Sequence, residues 1–140
     1  MIRTINTSDY PCLVEIWESA VLATHDFLKP EDFSYYKEHL PTYFTFVTLW
    51  GFEHEGVLVG FMGIAENSLE MLFIDESMRG KGVGKKLIQY GIEQQGVTKV
   101  EVNEQNEQGV GFYKHLGFKV IHRSELDGQG KAYPILQMEL

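Results

Sequence analysis

At 140 residues, with 44% hydrophobic and 13% aromatic content, the chain is sized for one domain with a core of its own. Its single cysteine, Cys12, excludes an internal disulfide and a cysteine-built zinc site. The formal net charge of −8, and apolar runs far short of the ~20 residues of a membrane span, exclude nucleic acid and membrane as expected partners. The reading is a soluble, cytoplasmic protein whose acidity leans towards cationic ligands.

In chain order, "IRTI" reads as a short first strand, and "NTSD" then supplies cap residues for a helix with Pro11 in its first turn. Leu13, Ile16, Trp17, Ala20 and Val21 fall on one face of that helix. A second short helix begins after Pro30, buries Phe33, Tyr36 and Leu40, and is expected to stop at Pro41. The period then changes. "YFTFVTLWGF", "GVLVGFMGIA" and "LEMLFID" are rich in aromatic and branched residues and read as three antiparallel strands, with "EHEG" and "ENS" as turns.

A glycine segment, "RGKGVG", follows and opens a helix from Val83 to Gln95, with Val83, Leu87, Ile88, Gly91 and Ile92 as its buried stripe. "TKVEVN" is the next strand, so strand, helix and strand form a right-handed parallel crossover. A further helix runs from Glu107 to Leu116 and ends at Gly117. "FKVIHRSEL" and "YPILQMEL" close the chain as a hairpin joined through "DGQGK". The fold class is mixed α/β, of the α+β kind, with about seven strands and about four helices.

The glycine segment fits neither nucleotide motif. A dinucleotide fingerprint started at Gly80 or Gly82 puts its third glycine on Lys85 or Leu87. A P-loop counted back from Gly84 and Lys85 puts Arg79 at its first glycine and Lys86 at the magnesium-binding hydroxyl. The setting still suits a phosphate. Free N–H groups at a helix start, glycines without a Cβ and two basic side chains together favour a pyrophosphate.

Two stretches carry a family resemblance. "LFIDESMRGKGVGKKLI" looks like the acetyl-CoA signature of the GNAT N-acetyltransferase superfamily, R/Q-x-x-G-x-G/A, with Arg79, Gly82 and Gly84 in the fixed positions. "NEQGVGFYKHLGF" resembles the next motif, N-x-x-A-x-x-x-Y-x-x-x-G-F, through Asn106, Tyr113, Gly117 and Phe118. Gly109 replaces the usual alanine, a small-for-small change expected to do little harm.

The resemblance implies a single N-acetyltransferase domain over residues 1–140, with a GNAT-like fold and two splayed parallel central strands, "EMLFID" and "KVEVN". It implies an acyltransferase that uses acetyl-CoA as co-substrate, without a metal, and passes the acetyl group directly to a primary amine. Backbone of Leu72, Phe73 and Ile74 would pair with the pantetheine arm, with an oxyanion donor near Phe73. N–H groups of Arg79, Gly80, Lys81, Gly82, Val83 and Gly84 would hold the pyrophosphate, and Asn106 would bond the cofactor. Tyr113 is the candidate general acid for the leaving thiolate, against a bland role as a core aromatic.

The base is open between Glu70, the His25–Asp26 pair at the acceptor wall, and water-relayed deprotonation by no single residue. For Glu70 the alternative is a solvated strand carboxylate, for Asp26 a helix cap, for His25 an exposed surface position. The acceptor is a small-molecule amine or a peptide amine, and the protein a monomer or homodimer. A non-catalytic acyl-CoA-binding sensor is the rival from another class.

Overall fold

The computed structural model describes residues 1–140 throughout. Eleven elements follow one another: β1 (Ile2–Thr4), α1 (Tyr10–Thr24), α2 (Pro30–Phe44), β2 (Thr48–His54), β3 (Val57–Ala65), β4 (Ser68–Ile74), α3 (Val83–Gln95), β5 (Lys99–Asn103), α4 (Glu107–His115), β6 (Lys119–Ser124) and β7 (Ile135–Glu139). The strands form one mixed sheet in the order β1-β2-β3-β4-β5-β7-β6. All neighbours are antiparallel except β4 and β5, which are parallel and joined by the α3 crossover.

Helices cover both faces. The stripe on α1 packs with Leu40 and Phe44 of α2 against Leu49, Leu58 and Phe61. On the other face Val83, Leu87 and Ile88 of α3 and Tyr113 of α4 meet Met62, Leu69, Val100 and Met138. The β2–β3 turn places both Glu55 and Gly56 at positive φ, the conformation that matches the twist of a tight hairpin. No helix is long and apolar enough to cross a membrane.

The second helix departs from expectation. It runs through Pro41 to Phe44, so Tyr43 and Phe44 are helical and the next strand starts only at Thr48. An internal proline costs about 3 kcal/mol because it removes one ladder bond. Burying a phenylalanine returns about 1.5–3 kcal/mol, and Phe44 is 1% exposed, edge-on to Phe61 at 5.7 Å. Packing of Leu40 and Phe44 therefore carries the helix past its own breaker.

The final hairpin has an unexpected place. β7 does not extend the sheet edge but lies between β5 and β6, pairing with both. The loop before it is ordered by Asp127, whose carboxylate accepts the N–H groups of Gln129 at 2.9 Å and Lys131 at 3.0 Å.

Candidate active site

β4 and β5 pair only at Ser68 with Lys99 and at Leu69 with Val100, and then part. A bulge marks the parting point. Across the β3–β4 ladder Leu69 faces Ile64 and Met71 faces Gly63, which leaves Glu70 as the extra residue. Beyond it, the edge of β4 from Met71 to Ile74 has no strand partner on the β5 side. The cleft opened there has a volume of about 430 Å³.

The glycine loop closes the far end. Gly80 and Gly82 have φ of 74° and 82°, a region that favours glycine, and α3 begins at Val83. The first intrahelical bond runs from the Lys86 N–H to the Gly82 carbonyl at 3.0 Å. The N–H groups of Val83, Gly84 and Lys85 stand ahead of it at the positive end of the helix. A Cβ built on Gly80 or Gly82 would meet nothing within 4 Å, so the space over the loop is open. Open space, free amides and apolar walls from Leu72, Ile74 and Val83 fit a pyrophosphate carrying an extended arm.

Arg79 reaches across the mouth. Its guanidinium donates to the Gln108 side chain on α4 and to Glu76 at 3.4 Å. Gly80, Gly82, Val83 and Gly84 line the cleft with Leu72, Phe73 and Ile74. Lys81 does not: it is exposed and outside the lining, and Lys85 one helical turn on supplies the lysine instead.

α4 forms the opposite wall. Asn106 caps it, its Oδ1 accepting the Gly109 N–H at 3.1 Å. A Cβ at Gly109 would lie 2.5 Å from Asn106 Nδ2, the end of the capping side chain. The glycine leaves room for the Asn106 amide, which would have to turn aside for an alanine. Tyr113 is only 6% exposed and sits edge-on between Phe112 at 5.2 Å and Phe118 at 5.9 Å. It also lines the cleft, so the core position and the candidate catalytic position are the same place. Burial raises the phenol above its ordinary value and keeps it protonated.

Glu70, half-buried at the bulge, faces Glu101 of β5 across the parting strands, and both line the cleft. Burial, then a hydrogen bond with Glu101 and the charge of Glu101, push Glu70 up to about 8. Glu101 is the residue missed in the sequence. Val100 and Val102 point into the α3 core, so the alternating strand sends Glu101 the other way, one register step past the last β4–β5 pair.

The raised Glu70 has a consequence for stability. Both folded and unfolded chains hold this proton below the unfolded value of 4.5, and the folded chain alone holds it up to about 8. Its stabilising contribution is therefore complete at low pH and lost as pH rises through about 8. The melting temperature of the wild type relative to Glu70→Gln is expected to fall across that window, as measured by thermal denaturation. A difference independent of pH would remove the assignment.

His25 and Asp26 separate. His25 lines the cleft and Asp26 is exposed outside it. The exposed-surface alternative for His25 does not hold, because burial lowers its imidazole to about 4 and keeps it neutral. Thr24 Oγ1 gives its only proton to the Ala20 carbonyl at 2.8 Å, so His25 Nδ1, 2.6 Å away, donates to that oxygen. This tautomer leaves Nε2 with a free lone pair.

The same loop is clasped from above. The Tyr133 hydroxyl accepts the Lys29 N–H at 3.0 Å and donates to Asp32, which also binds Lys131 at 3.2 Å. Tyr36 donates to Asp127, and the Phe27 ring lies between His25 and Tyr133, tilted to both. Tyr133→Phe is expected to cost about 1–2 kcal/mol in denaturant unfolding, because it strands the Lys29 donor and removes one bond to Asp32.

Comparison with known proteins agrees with this geometry. A family model described as an acetyltransferase (GNAT) domain matches residues 21–140. The peptidyl-lysine N-acetyltransferase YjaB of Escherichia coli is 42% identical over 127 residues, covering 90% of this chain and 86% of its own. The solution structure of apo-form YjaB from Escherichia coli superposes with a TM-score of 0.91 at 39% identity, covering 99% of this chain and 95% of that one. The PaiA N-acetyltransferase from Thermoplasma acidophilum, in complex with coenzyme A, shares the fold with a TM-score of 0.75 at 22% identity, over 100% and 98% of the two chains.

Proposed function

Because the chain belongs to the GNAT acetyltransferase family and moves an acetyl group to an amine, we propose that acetyl-CoA is its donor and the side-chain amine of a polypeptide lysine its acceptor. The observation that carries the reading is the splayed cleft, with Tyr113 on one wall and Glu70 at its closed end. The lysine acceptor is supported by likeness to a peptidyl-lysine enzyme over nine tenths of the chain.

When bound, acetyl-CoA would supply a thioester activated towards amines. Amides ahead of α3 and of Gly80 to Gly82 would hold its pyrophosphate, and the unpaired edge of β4 would align its arm. An N–H of β4 near Phe73 would donate a hydrogen bond to the carbonyl oxygen as negative charge develops on it. Glu70, in the molecules that carry it ionised, removes a proton from the incoming ammonium, so the rate should rise as pH approaches about 8. An ordinary glutamate is about 6 pH units more acidic than lysine, which makes that transfer steep. Glu70 at about 8 narrows the gap to about 2 units. As the amine nitrogen forms its bond to the acetyl carbon and the carbon–sulfur bond breaks, Tyr113, kept neutral by burial, would give its proton to the departing sulfur and regain one from the nitrogen of the new amide. His25 Nε2 accepts a hydrogen bond from the ammonium before it is deprotonated.

The test presents acetyl-CoA with lysine peptides, polyamines and free amino acids, following thiol release and peptide mass. One acetyl group on a lysine side chain is the expected product. Turnover of small amines alone would replace the peptide acceptor. Tight binding of acetyl-CoA with no turnover on any amine would return the sensor reading.

A further inference from the structure

A second groove, of about 650 Å³, lies on the face of the sheet that carries α2. Residues 45–48, which lead from α2 into β2, form one wall, and the β3–β4 turn with Glu66 and Asn67 forms an end. Its floor is the start of β4, β5 and Gln137 of β7. Only two residues line both this groove and the cofactor cleft, and they are Glu70 and Glu101. The two hollows therefore meet at the carboxylates beside which an acceptor amine must sit.

The groove has a definite chemistry. Glu66, Glu70 and Glu101 line it, against a single cation, Lys99, which is already 3.8 Å from Glu139. Phe46 stands on the wall and is 73% exposed, although it lies between the buried Phe44 and the partly buried Val47. A free aromatic face beside the Glu66 carboxylate, which has no ion-pair partner, favours a cationic chain over an anionic or neutral one. A lysine whose amine lies at Glu70 brings its neighbours in sequence to this opening.

Resting on the polypeptide-lysine acceptor proposed above, we propose that the groove seats the residues flanking the acceptor lysine and selects flanks that carry further Lys or Arg. The cleft then sets the donor and the reaction, and the groove sets which lysines are modified. Phe46 covers the aliphatic stem of a flanking basic side chain, and Glu66 pairs with its charge. Neither residue touches the reacting atoms.

The test uses peptides with one acceptor lysine, its other basic positions filled by arginine, by neutral residues or by glutamate, beside a blocked single lysine amide. Steady-state constants are measured for wild type, Glu66→Gln and Phe46→Ala. The arginine-flanked peptide is expected to have a KM about tenfold below the glutamate-flanked one, with a difference that shrinks in high salt. Each variant is expected to raise the KM of the arginine-flanked peptide about threefold or more. Its kcat, its KM for acetyl-CoA and its rate on the single lysine amide are expected to be unchanged. Peptides turned over with a KM indifferent to flank and to both variants would overturn the groove and leave the lysine acceptor standing. No turnover of any lysine peptide, with turnover of small amines, would overturn both.

Discussion

A Tyr113→Phe variant is expected to lose about 10²- to 10⁴-fold in kcat, the range for a removed general acid, with KM for acetyl-CoA nearly unchanged. The geometry makes this substitution clean. The ring holds its place between Phe112 and Phe118 whether or not it carries a hydroxyl, and it is 6% exposed. The hydroxyl makes no hydrogen bond within the chain, and removing it leaves no buried partner stranded. Thermal melting should therefore move little, and a phenylalanine that fills the same hole should bind coenzyme A as before. Rapid-quench measurement of acetyl transfer separates chemistry from product release. A variant that transfers acetyl at the wild-type rate would reduce Tyr113 to a core aromatic.

Gly82→Ala is expected to weaken coenzyme A binding by about tenfold to a hundredfold, the worth of one or two charge-assisted hydrogen bonds. Space is not the obstacle, because a Cβ at this position meets nothing within 4 Å. The obstacle is conformation. Gly82 has a φ of 82°, and an L-residue held there costs about 1–2 kcal/mol. The chain escapes that cost by rotating the peptide units that lead into α3, and the amides then no longer converge on one point. Any side chain that stays would stand in the space the phosphate needs. Gly84→Ala is the control. Gly84 is helical, its added Cβ would touch only Ile74 and Phe112 at 3.8 Å, and the change should be neutral or slightly stabilising. Calorimetric titration with coenzyme A distinguishes them, and equal affinity for both variants would remove the loop as a phosphate cradle.

The parts of the fold that were legible are those whose signals are local. Helix α3 begins and ends at Val83 and Gln95 as its sequence predicts, because Gly82 and Gly96 flank it in the left-handed conformation and its stripe is unbroken. The end of α2 was not legible. Pro41 is a local stop signal, and what overrules it is contact with Phe61, a residue of another element. The place of β7 was hidden for the same reason, since nothing in "YPILQMEL" tells an edge strand from an inserted one.

The site divides along the same line. The loop and α4 announce themselves by motif, and the structure gathers those residues, apart from Lys81, around one cleft. Glu101 carries no motif. In "KVEVN" it reads as the solvated face of a half-buried strand, and only the parting of β4 from β5 sets it against Glu70. His25 was legible as a candidate, but its buried neutral state depends on Thr24, Phe27 and the Tyr133 clasp, the last more than a hundred residues along the chain.

The inserted position of β7 has a consequence for biogenesis. On a ribosome the chain emerges from its N-terminal end, and β5 and β6 are both made before the strand that joins them. Until residues 135–139 are free, β5 has a bare edge and β6 has no neighbour at all. The Tyr133 and Asp127 contacts to α2 wait for the same stretch of chain. The glycine loop and α3 can be in place early, but the clasp over the loop that carries His25 is finished last, by pairings of long sequence separation that form slowly. A nascent chain stalled before β7 leaves one edge of β5 and both edges of β6 unpaired, which makes that interval the one most open to wrong strand pairing.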